Sequence, residues 1–294
     1  MDPITTAAIG AASKTVDPAA AEGAKVGAQL FLRLFGPTAD VLGAHWADRL
    51  REKNMARLLA KTEQRAIHSG EAGFASPRVA SKVFHDAEFA DDEMIAEYLS
   101  GVLASSRSED GTYDGGVEWS SLIARLSSDQ LRLHYLIYAS ARQVLADTAV
   151  GQRANWLHMK RVIFPQEELM DRIGKDFSDV RFSNAVNGLM REGLITDTYA
   201  YGPNVGVAES DFPKGSDLDV PYDRSLKIGV SIQGMRLFMW GLGMGHLPMD
   251  VYIHPSFAIT TVDEQPDLAL LSGVVMFEDV LLDPAGNKFS KESF

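Results

Sequence analysis

Cysteine is absent from all 294 residues. That excludes disulfides, thiolate nucleophiles and cysteine-ligated metals, and it fits a reducing compartment. Basic charge is scarce as well. There are 28 Lys and Arg against 40 Asp and Glu, a formal net charge of −12. A field of that sign repels phosphate backbones and anionic lipid surfaces. No uncharged apolar run approaches the roughly 20 residues needed to span a bilayer. The N-terminus lacks the cationic start and apolar centre of a secretory signal. These absences together predict a soluble, acidic, cytoplasmic protein.

Signatures of catalysis are missing too. Seven histidines (His45, His68, His85, His134, His158, His246 and His254) are scattered without metal-ligand spacing. Neither H-E-x-x-H nor G-x-S-x-G occurs. Gly241-x-Gly-x-Gly245 follows a helix-like run rather than a strand, so it reads as a helix stop and not as a phosphate loop. The Asp91-Asp92-Glu93 cluster is explained by helix-start electrostatics better than by a bound cation. The expectation is therefore no catalytic residue, no cofactor and no metal, in a non-enzymatic protein, with enzyme activity as the residual alternative.

What is present is helical periodicity followed by a change of pattern. Residues 1–36 are rich in small residues, and Ala19–Phe35 reads as a helix with Gly23-x-x-x-Gly27 and an apolar end, Leu30, Phe31, Leu34 and Phe35. Its charged residues, Glu22, Lys25 and Arg33, argue against a spanning segment. That end suits docking onto the chain itself, onto a partner, or onto a membrane surface. Residues 37–150 form the helical domain. Helices are expected over Pro37–His68, from Ser76-Pro77 to about Phe89, over Asp92–Ser105, Trp119–Leu126 and Asp129–Ala146, with a Ser127 or Ser128 cap.

Residues 151–245 read as a winged helix-turn-helix. Gly151–Val162 leads in. A helix carrying Phe182, Val186 and Leu189 ends at Gly193, and strand-like runs at Ile195–Tyr201 and Leu226–Ile232 flank a long loop. A helix over Gln233–Leu242 closes the unit. Leu189, Leu194, Ile195, Ile228, Ile232, Leu237 and Phe238 should share one core. Residues 246–294 form a β-rich extension, with strands expected over Asp250–Thr261 and Leu268–Leu282. The fold class is thus mainly α: a helical bundle, then the winged α+β module, then a short β-rich segment.

The helix of the winged unit presents Arg181, Asn184, Asn187 and Arg191, residue types that pair with base edges or with protein. From Lys160 to Gly245, however, ten Lys and Arg face twelve Asp and Glu. The loop itself carries Glu209, Asp211, Asp217, Asp219 and Asp223. Carboxylates where a wing meets phosphate argue against conventional DNA docking.

Several stretches resemble the abortive-infection alpha (Abi-alpha) family: "LFGPTADVLGAHWADRLREKN", "FADDEMIAEYLSGVLASS" and "WSSLIARLSSDQLRLHYLI". Asp91, Asp92 and Glu93 match its acidic helix start, and Tyr98 stands where an aromatic is usual. Leu103-Ala104 matches its helix end, and Leu126, Ser127 and Asp129 match its cap. "LMREGLI" with "VSIQGMRLFMWGL" resembles its winged element, so the likeness covers about residues 30–242. The resemblance implies a bacterial protein associated with phage exclusion and supplies no catalytic residues. It favours a non-enzymatic protein working through protein contacts or self-association. The alternatives are a winged-helix DNA-binding regulator and a membrane-perturbing effector using the N-terminal helix.

Overall fold

The computed structural model describes residues 33–36, 53–69, 73–88, 92–148, 160–196, 199–203, 224–254, 259, 271 and 274–278. Over these residues the chain is mainly helical, with two small antiparallel sheets. Leu30, Phe31, Asp91, the loop carboxylates 209–223 and most of the C-terminal extension beyond residue 254 lie outside them. Two compact units interleave along the sequence. The first comprises Met1–Arg132, Arg236–Pro248 and Ile259–Gln265. The second comprises Leu133–Met235, Met249–Ala258 and Pro266–Phe294.

In the first unit, α1 (Lys53–Ser69) packs along α3 (Glu93–Ser105), and α2 (Pro77–Ala87) and α4 (Gly116–Ile123) close around them. The local chemistry starts each helix where the residues direct. Pro77 occupies the first turn of α2 after an extended Ser76. The Asp92 carboxylate accepts from the Met94 N–H at 2.9 Å to begin α3. Ser127 and Gln130 cap each other reciprocally before α5 (Ser128–Thr148): the Gln130 N–H donates to Ser127 Oγ at 3.2 Å, and the Ser127 N–H donates to Gln130 Oε1 at 2.8 Å. A two-residue pairing, β1 (Phe74–Ala75) with β2 (Arg107–Ser108), ties the connections together.

The core holds Leu58, Leu59, Val83, Phe84, Leu99, Val102 and Leu103, all fully buried. Phe35 packs edge-on against Phe84, with ring centroids 5.6 Å apart. Glycine permits one close approach here. A Cβ at Gly101 would run into the Gly241 carbonyl, and one at Gly241 would meet the Tyr98 ring at 2.7 Å.

The second unit is built on a four-stranded antiparallel sheet, β3 (Lys160–Pro165), β4 (Ala200–Pro203), β5 (Arg224–Gly229) and β6 (Val275–Glu278), in the order β4-β5-β3-β6. Val162 pairs with Ile228, Phe164 with Leu226, and Tyr201 with Leu226 from the other side. Between β3 and β4 run two helices, α6 (Gln166–Ile173) and α7 (Asp179–Arg191), separated by a short turn. After β5 the chain enters α8 (Ile232–Gly241).

Some expectations change. Lys160–Pro165 overlaps the expected lead-in, yet it is an inner strand of the sheet, with Val162, Ile163 and Phe164 fully buried. Of the described residues in the run Ile195–Tyr201, Ala200 and Tyr201 belong to a ladder. Ile195 makes a single bridge to Val230. Met249–Ile253, expected to be strand, is a 3-10 turn. The Arg142 guanidinium takes the Tyr252 and His254 carbonyls, both at 2.9 Å, so they are not offered to a strand partner. The proposed common core also divides. Leu189, Leu194, Ile195 and Ile228 are buried in the second unit, whereas Leu237 and Phe238 belong to the first. Ile232, the first residue of α8, is 44% exposed.

Candidate functional site

The residues marked by the sequence as contacts sit on α7. Ser178 is its N-cap, in extended backbone, with its side chain accepting from the Arg181 N–H at 3.4 Å. Phe182, Ala185, Val186 and Leu189 form the buried face. The helix ends on Gly193, whose positive φ of 69° lets the chain reverse. The Leu194 N–H returns to the Leu189 carbonyl at 2.8 Å, and the Gly193 N–H to the Met190 carbonyl at 2.9 Å. The stop at Gly193 is therefore built as its sequence implies.

The four polar residues have different surroundings. Arg181 and Asn184 are exposed, and the Arg181 guanidinium lies 5.2 Å from the centroid of the Phe177 ring. Arg191 is exposed, with its Nε 3.9 Å from the Glu192 carboxylate. Asn187 is half-buried and engaged. Its amide Nδ2 donates to Ser183 Oγ at 3.3 Å, and its Oδ1 accepts from the Tyr199 hydroxyl. Ser183 in turn meets the Tyr201 hydroxyl at 2.6 Å. The Tyr199 and Tyr201 rings stack 6.3 Å apart at 8°, and Tyr201 packs edge-on against Phe182 at 5.7 Å. Two tyrosines and two α7 side chains thus lock the helix to the segment entering β4. No spacing rule in the sequence signals that pairing, because Tyr199 and Tyr201 come together with α7 only through the fold.

At the first turn of α7, Asp179 holds Arg224 of β5 at 2.8 Å, and the Gln166 amide of α6 approaches the same carboxylate at 3.5 Å. A second polar group lies deeper in this unit. The Tyr138 hydroxyl of α5 donates to the Leu194 carbonyl at 2.5 Å and accepts from the Ser231 N–H at 2.9 Å. One turn before it, fully buried His134 contacts the Gly234 carbonyl through Nε2 at 3.0 Å. Desolvation depresses the imidazole to about 3 against the opposing pull of that carbonyl, and desolvation raises the Tyr138 hydroxyl to about 12. His134 is therefore a neutral structural group.

The first unit carries an ion-pair ladder between α1 and α3. Lys61 bridges Glu93, at 2.5 Å, and Glu97. Arg65 also meets Glu97, and Arg57 meets Glu93 at 2.9 Å. Burial alone would lower the Lys61 ammonium, but hydrogen bonds and charge from Glu93 and Glu97 outweigh it and hold it above its ordinary value. Asp92 caps α3 and pairs with Arg132 at 2.6 Å. The Asp92 and Glu93 side chains thus serve helix start and packing. Among the described residues no group of three or more His, Asp and Glu is arranged to hold a metal ion.

The glycine segment after α8 is a helix stop: the Gly243 N–H bonds the Trp240 carbonyl at 3.1 Å, Met244 N–H returns to Met239 at 2.9 Å, and the Gly245 N–H is held by Ser105 Oγ at 2.9 Å. Those amides are not available to a phosphate.

Of the N-terminal contact residues, Leu34 and Phe35 are buried in the first unit, at 2% and 0% exposure. Their packing within the chain leaves neither ring nor branch open to a partner or a bilayer. Among the described residues no helix is long and apolar enough to cross a membrane. No family model, curated protein or solved structure matches the chain.

Proposed function

We propose that residues 160–229 form a winged helix-turn-helix that docks protein, within a non-enzymatic protein of phage exclusion. Support for the module comes from the succession strand, helix, turn, helix and antiparallel hairpin, with β5 between β4 and β3. The reading of its partner as protein is carried by Asn187. Of the two α7 asparagines suited to an adenine edge, Asn187 is committed to Tyr199 and Ser183 instead, which leaves exposed Asn184 alone to read one. The surplus of carboxylates between Lys160 and Gly245 points the same way. The setting of phage exclusion rests on the Abi-alpha resemblance.

Fluorescence anisotropy with duplex DNA at physiological salt tests the partner class. Weak binding, indifferent to sequence, is expected. Sub-micromolar affinity for a defined duplex, lost in Arg181→Ala or Arg191→Ala, would make the module a DNA reader. Phage challenge of bacteria producing the chain tests the setting: plating efficiency should fall, and unchanged plating of every phage tried would remove phage exclusion from the proposal.

A further inference from the structure

We infer that the exposed stripe Val180, Arg181, Asn184 and Arg191 on α7 docks an acidic segment of a partner protein, an inference that rests on reading the module as protein-docking. Positions 180, 184 and 191 follow the helical repeat, and Arg181 lies beside them. Ten residues separate the two arginines, which at about 1.5 Å of rise each places them roughly 15 Å apart along one face. Val180 is 69% exposed, an apolar foothold beside the first guanidinium.

The charge of the stripe is opposite to that of the chain. Arg181 and Arg191 are its cationic members; the Asp179 carboxylate is engaged by a residue outside the stripe, whereas Glu192 shares Arg191. Asp179 is held by Arg224 at 2.8 Å, and Glu192 is turned toward Arg191 at 3.9 Å. A cationic stripe of this length fits two carboxylates about 15 Å apart, the reach of four or five extended residues at roughly 3.3 Å each. Charge complementarity across such a surface sets orientation and partner choice.

Duplex DNA has the same sign of charge but not the same width. Pro203 pairs with Arg224 where the acidic loop leaves and re-enters the sheet, and Arg224 touches the first turn of α7. A duplex on α7 also brings phosphates, one charge per about 1.7 Å of axis, toward the Asp179 carboxylate in its first turn. A single extended peptide is narrow enough to follow α7 alone.

The probe is a short fluorescent Ser/Gly peptide carrying two glutamates spaced about five residues apart, with its glutamine counterpart and a duplex as competitors, titrated into the full chain. The glutamate peptide should bind at least about tenfold tighter than the glutamine one. Arg181→Ala and Arg191→Ala should each weaken it by about fivefold or more. Arg78→Ala and Arg125→Ala, on the first unit, should leave it unchanged. Equal binding of the glutamine peptide, or indifference to Arg181 and Arg191, overturns the inference. Displacement of the peptide by duplex at lower concentration, dependent on the same arginines, replaces it with DNA binding.

Hydrogen exchange on the same samples separates the two levels. Amides of 179–191 that exchange as an unfolded segment sink the module itself. A protected α7 that gains nothing from the peptide sinks only the acidic partner.

Discussion

His134 shows how one side chain sets a pH dependence. Its folded-state value of about 3 lies far below the ordinary 6.5, because burial disfavours the imidazolium. Between those two values the unfolded chain binds a proton that the folded chain refuses. Its contribution to stability is therefore complete above pH 6.5 and is lost as pH falls toward 3, at up to about 1.4 kcal/mol per unit. Urea unfolding at pH 7 and pH 5 measures this, with His134→Gln as comparison. The variant keeps a donor for the Gly234 carbonyl and should lose much of the acid sensitivity. An identical slope in both proteins would assign the effect to other groups. Gly101 is the steric counterpart. Gly101→Ala places a methyl against the Gly241 carbonyl, and should lower stability by about 1–3 kcal/mol, read from the urea midpoint.

At the scale of elements, the α1–α3 ladder and the α7 core make opposite kinds of demand. Glu97→Ala leaves Lys61 and Arg65 without their shared carboxylate, and both side chains are at least nine-tenths buried. Thermal unfolding should show a loss of about 3–5 kcal/mol. Glu97→Gln, with its hydrogen-bonding capacity retained, should cost less. A variant as stable as the parent would mean the ladder rearranges around the gap. Leu189→Ala removes a fully buried side chain from α7, and about 2–5 kcal/mol is expected by the same measurement.

The legibility of these elements follows from where their signals reside. α3, α5 and α7 were readable because caps and apolar spacing lie within each helix. The cap at Asp92 and the stop at Gly193 fall where expected. β3 was not readable as a strand: Val162, Ile163 and Phe164 are buried on both faces of the sheet, so the alternation that marks a half-buried strand is missing. Short α6 offers two turns and no side-chain cap. At the candidate site, Arg181, Asn184 and Arg191 are exposed. The capture of Asn187 by Tyr199 was invisible, since a hydrogen bond across 12 residues depends on the return of the chain.

For the whole molecule, the arrangement of the two units along the chain matters more than their boundaries. The first unit takes the chain up to Arg132 and then Arg236–Pro248, from beyond the Leu133–Met235 stretch of the second unit. The Gly101–Gly241 approach, the Trp240 ring stacked on Trp119 at 5.8 Å and the Ser105 bond to Gly245 all depend on that later stretch. A ribosome delivers residues in order, so the first unit to begin emerging is the one that must wait. Its early helices remain without Trp240 until more than a hundred further residues have been made. A fragment stopped after Arg132 is therefore expected to be protease-sensitive, whereas the same fragment with residues 236–248 supplied in trans should gain protection. For a protein proposed to act in infected cells, any event that stops synthesis before Arg236 would leave that first unit exposed to degradation.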